Sequence, residues 1–385
     1  MNKQLFHRGV LSVVGGVLVA ATMVGCGGEP KPTTLSGLVQ EDFQSHIGDK
    51  ATDLYTLRNS AGMEVCITNF GGRVVSIMVP DRNGEMRDVV LGFDNIDDYR
   101  NIPSDFGAAI GRYANRIKHG RFVLEGDTIQ LPQNNYGHCL HGGPDGWQYR
   151  VYDAQQPDGQ HLLLNMISPD GDSGFPGEMK VQVTYTLTDD NALAITYDAT
   201  TNRPTIINMT NHSYFNLSGD ATRDILDHEL TLNAEEFTPI NDTFITLGNI
   251  NPVEDTPFDF RTPTAIGAHI NDDVHQLEYG HGYDHNWVLA TRGSMKEVAA
   301  RLYCPETGIQ LEVFTDEPGI QVYTGNFLDG TVVGKKGIAY ARRTAVCLET
   351  QHYPDTPNKP QWPSVEIRPG RRYFTHCTYR FSVVK

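Results

Sequence analysis

The chain is short of positive charge. Lysine and arginine number 31 against 47 aspartates and glutamates, for a formal net charge of -16. That balance disfavours nucleic acid as a partner and opposes phosphorylated substrates, because clustered cations supply most phosphate affinity. Cysteine is also sparse. Apart from Cys26 in the N-terminal segment there are five (Cys66, Cys139, Cys304, Cys347 and Cys377), with no CxxC or zinc-type spacing. Neither a disulfide framework nor a zinc module is therefore expected. Cys66, Cys304 and Cys347 lie in strand-like runs, where a buried thiol behaves as a small apolar residue. There is no HExxH pair, no low-complexity run and no repeat period, which leaves the composition of an ordinary globular body.

Helical periodicity is nearly missing as well. Short alternating segments separated by turn residues dominate after residue 50. Asp53–Arg58 and Met63–Phe70 flank Asn59-Ser60-Ala61-Gly62, Val74–Val79 precedes Asp81-Arg82-Asn83-Gly84, and Lys180–Leu187 and Ala192–Ala199 flank Asp189-Asp190-Asn191. Runs at His161–Ile167, Ile309–Thr315, Ile320–Thr324, Ala345–Glu349 and Tyr373–Val383 continue the pattern. Only Ile96–Tyr99 and Thr264–Ile270 read as helical turns. Repeated hairpin signals without intervening helices predict an all-β fold, a large antiparallel β-sandwich. No glycine-rich linker divides it, so residues 49–385 are expected to form one domain.

The N-terminus follows other rules. Lys3 and Arg8 precede an uncharged apolar stretch, Val10 to Val24, too short for a comfortable membrane span. Met23-Val24-Gly25-Cys26 is similar to a bacterial lipobox, in which the cysteine is lipidated and becomes the new N-terminus. Residues 1–25 are then a lipoprotein signal peptide and residues 26–48 a flexible tether. The expected location is the bacterial cell envelope, lipid-anchored through Cys26, on the periplasmic side or at the cell surface.

Polar groups gather at a few places among the apolar runs. Thr210-Asn211-His212-Ser213-Tyr214-Phe215-Asn216-Leu217 packs an imidazole, two amides and several hydroxyls between apolar neighbours, and each would cost a few kcal/mol if buried unpaired. Asn115-Arg116-Ile117, Leu140-His141-Gly142-Gly143, Gly282-Tyr283-Asp284-His285-Asn286 and Leu348-Glu349-Thr350-Gln351 have the same character. Asp284 reads as part of a turn, and Glu349 closes an apolar strand. Taken singly, such residues are more often structural than chemical.

Together, these strings resemble the ordered motifs of the aldose 1-epimerases, or galactose mutarotases. Thr256-Pro257-Phe258-Asp259-Phe260-Arg261 and Gly319-Ile320-Gln321-Val322-Tyr323-Thr324-Gly325-Asn326 belong to the same set. The resemblance runs from about residue 50 to the C-terminus, and the N-terminal segment alone departs from it. It implies ring opening and reclosure of a free aldose such as galactose or glucose. Glu349 would be the general base at the anomeric hydroxyl and His212 the general acid at the ring oxygen. His141 would support the acid, Asn115, Arg116 and Asp284 would hold ring atoms or hydroxyls, and Ser213, Tyr214 and Gln321 would lie in the same pocket. The family needs no cofactor and no metal, and a monomer or weak homodimer is expected.

Rival readings share some of these residues. A metal hydrolase would recruit His138, His141, His212, His281 and His285, whose spacing fits no metal motif. A glycosidase would pair Glu349 with Asp284. A surface carbohydrate-binding protein would need neither acid nor base, and a sugar-phosphate epimerase of the same fold sits poorly with the acidic chain.

Overall fold

Alternation at period two builds the largest element directly. In the computed structural model, which describes residues 34–385, Met179–Leu187 alternates buried and partly exposed residues along its whole length. It pairs in register with His161–Ser168 and Ala192–Thr201. The sheet continues through Arg372–Val383, Ile309–Thr315, Ala300–Tyr303, Glu229–Leu232 and Thr264–Ala265, with Asp153–Gln155 on the other edge, nine strands in all. Every named pairing in it is antiparallel. Val181, Val183, Leu193 and Ile195 point from it into the main core.

A six-stranded sheet packs on that core. Its order is Tyr214–Phe215, Val346–Gln351, Gly319–Tyr323, Asp284–Leu289, Ala234–Thr238 and Asn251–Pro252. Val346–Gln351 is buried at every position, so both faces of this strand are covered. Trp287, Ile320, Val322, Val346 and Leu348 join the same core as the larger sheet, and the Tyr379 hydroxyl donates to the Leu348 carbonyl across the interface at 2.9 Å. A four-stranded meander, Leu54–Arg58, Glu64–Thr68, Arg73–Pro80 and Met86–Asp88, closes one end. The architecture is the expected antiparallel sandwich.

Four local details differ from the sequence reading. The lipobox, Cys26 and the signal peptide lie outside the described residues, but the described part of the expected tether, residues 34–48, is folded. Leu38 and Phe43 insert into a satellite core beside Tyr99, because two bulky apolar side chains in a polar stretch gain more from burial than from solvent. Thr264–Ile270 is not a helical turn throughout: Thr264–Ala265 is an edge strand and only Ile266–Ala268 turns. Asp284 opens the strand Asp284–Leu289 rather than sitting in a turn. The helix His275–Gly280, ended by His281 in the left-handed conformation, precedes that strand without having been anticipated. The five described cysteines are all buried and free.

Candidate active site

Register places the polar residues together. Directly paired residues in an antiparallel sheet share a face. Gln321 pairs with both Glu349 and Asn286, and Tyr323 pairs with both Cys347 and Asp284. Tyr214 pairs with Cys347. Four strands thus present one polar face, while Leu348, Val322 and Trp287 point the other way into the core. His212 arrives on a separate short strand, Thr210–His212, paired with Ala108–Ile110. Arg116 and Leu140 pair on a third small ladder, which sets His141 next to it.

These elements enclose a cleft of about 260 Å³. His212, His141, Arg116, Tyr214, Asp284 and Glu349 all line it. His212 Nε2 stands 3.4 Å from Glu349 Oε1, and the two residues are 4% and 1% exposed. Tyr214 stacks on the His212 ring with centroids 5.0 Å apart, and His141 meets the same ring edge-on at 5.1 Å. The imidazole is thereby fixed on two sides. The Asn115 N–H donates to His141 Nδ1 at 3.1 Å, so the neutral His141 ring keeps its own proton on Nε2 as a donor. The Arg116 guanidinium lies over the Phe244 ring at 4.5 Å and donates from Nε to Asn135.

Burial drives Glu349, Asp284, His212 and His141 toward their neutral forms. The Glu349 carboxyl is pushed well above the usual range by burial and by the neighbouring Asp284 and Asp105 carboxylates, with Arg116 opposing. Asp284 is raised by burial against the pull of Arg116 and of the Gln321 amide, which donates to it at 2.6 Å. Burial lowers His212, with Asp105 acting the other way, and pushes His141 down to about 3. A carboxyl raised and an imidazole lowered toward their neutral forms, 3.4 Å apart, set a proton donor beside a proton acceptor, the arrangement that acid–base exchange with a bound hydroxyl needs. Glu349 Oε2 and His212 Nδ1 are buried without partners, so capacity for a polar ligand remains.

The donor sets are less suited to a metal. Ligand atoms of Asp105, His141 and His212, and of His212, Cys347 and Glu349, gather within 4.8 Å. In the first set the His141 tautomer offers a proton where a metal needs a lone pair. In the second, burial raises the Cys347 thiol well above its usual range and keeps it protonated.

Three expected site residues do not line the cleft. Asn115 supports it, bonding through its backbone to His141 and through Oδ1 to the Arg116 N–H. Gln321 orients Asp284, and the Ser213 hydroxyl is taken by Asn211 Oδ1 at 2.6 Å. Conversely, Asp105, Asn135, Tyr136, Tyr323 and Phe327 line the cleft without having been singled out. Tyr323 was legible in principle, being two residues from Gln321 on a strand and so on its face. Asp105, in a Pro-Ser-Asp loop, looks like any turn residue.

The comparisons agree with one another. The family model for aldose 1-epimerase matches residues 53–380. The galactose mutarotase of Rattus norvegicus is 42% identical over 336 residues, which cover 87% of this chain and 96% of the rat protein. The aldose 1-epimerase of Escherichia coli (strain K12) is 38% identical over 332 residues, covering 85% and 94%. Among solved structures, an aldose epimerase homologue from C. elegans matches with a TM-score of 0.81 at 33% identity, covering 87% of this chain and all of that one.

Proposed function

The chain belongs to the aldose 1-epimerase family and is an isomerase of that class, and from this premise we propose how its own residues interconvert the α and β anomers of a free aldose. The observation that carries the assignment is the buried His212–Glu349 pair, 3.4 Å apart on the wall of a cleft sized for one sugar ring. Glu349, as the carboxylate, takes the proton from the anomeric hydroxyl. The C1–O1 bond becomes a carbonyl as the bond from C1 to the ring oxygen breaks, and the ring oxygen takes a proton from the His212 imidazolium. Rotation about C1–C2 turns the other carbonyl face toward the hydroxyl, and the two transfers run backwards to close the ring. Burial favours the neutral carboxyl and neutral imidazole, which is also the proton distribution reached after opening; the reacting carboxylate–imidazolium form differs from it only by one proton shifted across the pair.

Around this pair, Arg116, His141 Nε2–H and Asp284 supply a cation, a neutral donor and an acceptor to sugar oxygens. Asn115 and Gln321 set their directions. Galactose and glucose are the aldoses this polar lining suits. The assignment is tested by polarimetry of freshly dissolved α-D-galactose. Glu349→Gln and His212→Gln should each lose most of the rate while retaining the fold, and wild-type rates in both would sink it.

The location rests on the sequence alone. Lys3, Arg8, the apolar run and Met23-Val24-Gly25-Cys26 support a lipid anchor at Cys26 in a bacterial envelope. Cys26→Ala should move the protein from the membrane to the soluble fraction, and continued membrane retention would favour an uncleaved segment.

A further inference from the structure

Asp105 belongs to the cleft but has no part in the proton transfers above. It lies in the loop between the helix Ile96–Asn101 and the strand Ala108–Ile110, just before the strand residues that pair with Thr210–His212. The loop is firmly held. The fully buried Arg73 guanidinium donates to the carbonyls of Ser104 and Phe106, on either side of Asp105, and to that of Gln148, at 2.9–3.0 Å. Phe106 packs edge-on against Tyr214 at 4.8 Å, and the Gly107 N–H donates to the His212 carbonyl at 3.0 Å. A carboxylate placed this way faces the cleft by construction. Its Oδ1 is nevertheless buried with no hydrogen-bond partner, an arrangement that costs stability unless a ligand supplies a donor.

The position of Asp105 says which donor. His212 belongs to two groupings of polar atoms within 4.8 Å: one with Asp105 and His141, the other with Cys347 and Glu349. With His212 at the ring oxygen and Glu349 at the hydroxyl on C1, the remaining neighbour of the ring oxygen is C5. In an aldohexose C5 carries a hydroxymethyl group; in an aldopentose it carries none. We infer that Asp105 is a specificity residue that accepts a hydrogen bond from the 6-hydroxyl of an aldohexose. A carboxylate there also repels a 6-phosphate, which separates this site from sugar-phosphate chemistry. The inference rests on the mutarotase reading and names the substrate within it.

D-Glucose and D-xylose differ only by the hydroxymethyl group, so the pair isolates this contact. A site that hydrogen-bonds a hydroxyl rejects the analogue lacking it. Polarimetry of both sugars should give a kcat/KM for glucose about ten-fold or more above that for xylose in the wild type. Asp105→Ala should lower the glucose value by about ten-fold and leave xylose within about two-fold. Asp105→Asn, which keeps shape and one acceptor oxygen, should fall between on glucose. Equal losses on both sugars would mean a merely structural role and overturn the inference, as would an unchanged glucose value. A wild-type protein that accelerates neither sugar would overturn the underlying activity, an outcome distinct from both.

Discussion

Two three-residue rows cross the two main sheets and end differently. On the nine-stranded sheet Arg301, Glu312 and Arg380 face one another across adjacent strands. Every charge in that row is answered: Glu312 accepts from Arg301 at 2.8 Å and from Arg380 at 2.7 Å. On the six-stranded sheet the equivalent row is Glu349, Gln321 and Asn286. There Glu349 Oε2, Gln321 Oε1 and Asn286 Oδ1 are buried and have no partner. The first row is a surface satisfied by itself and by water. The second holds unpaired acceptors in a low-dielectric setting, and for Glu349, the member of the row that lines the cleft, that is costly unless a ligand hydroxyl completes it. Unmet hydrogen-bonding capacity, more than polarity, separates site from surface here.

The largest test of that contrast is Glu349→Gln, expected to lower the mutarotation rate about 10²–10⁴-fold as a lost general base does. The same change should keep or raise thermal stability at neutral pH. The Glu349 carboxyl is raised in the folded state by burial, so between its unfolded and folded values the native protein binds the extra proton. Stability then falls as pH rises through that window, and an amide removes the penalty. Melting curves at several pH values check the sign. Activity should fall as well when pH rises through the raised Glu349 value, because the reacting carboxylate–imidazolium form holds the same number of protons as the neutral pair and the proton His212 must donate is then lost. A substitution on the opposite face of the same strand should invert this pattern. Leu348→Ala should cost about 2–5 kcal/mol of stability by opening a core cavity, while the surviving folded fraction turns over sugar, read by denaturant unfolding beside polarimetry.

Two smaller effects sharpen the comparison. Gln321→Leu removes the amide that orients Asp284, and KM should rise about ten-fold, the scale of one hydrogen bond to a charged group, with kcat less affected. Glu312→Gln on the satisfied row should leave activity unchanged and cost about 1 kcal/mol or less, because the pair is partly screened by solvent. Burial alone would raise Glu312, and the bonds from Arg301 and Arg380 more than offset it, leaving it below the usual range. Its contribution is therefore present above the unfolded value near 4.5 and fades as pH falls.

Legibility varied with how local each signal was. Met179–Leu187 and Ile309–Thr315 were readable because alternation is a property of one strand. Asp284–Leu289 was not, since Asp284, His285 and Asn286 interrupt the apolar pattern at the point where the strand meets the cleft. Thr210–His212 spans three residues, too few for any period to emerge. The candidate acid and base were found through the family resemblance, and the structure then brought His212 and Glu349 together. Asn115, Ser213 and Gln321 were placed in the pocket by the same route, but a motif carries no information on which side of a wall a side chain stands.

By itself the sequence determined the class of fold, the hairpin succession and the set of residues able to carry the chemistry. These follow from period-two patterning and turn chemistry, both local. Only the tertiary structure decided that Glu349, Gln321 and Asn286 share a row, that Glu349 and His212 stand 3.4 Å apart, and that Asp105 shares the cleft of those two with its Oδ1 unpaired. Cross-strand register joins residues more than a hundred positions apart, and burial sets their charge; neither is a property of any single segment of chain.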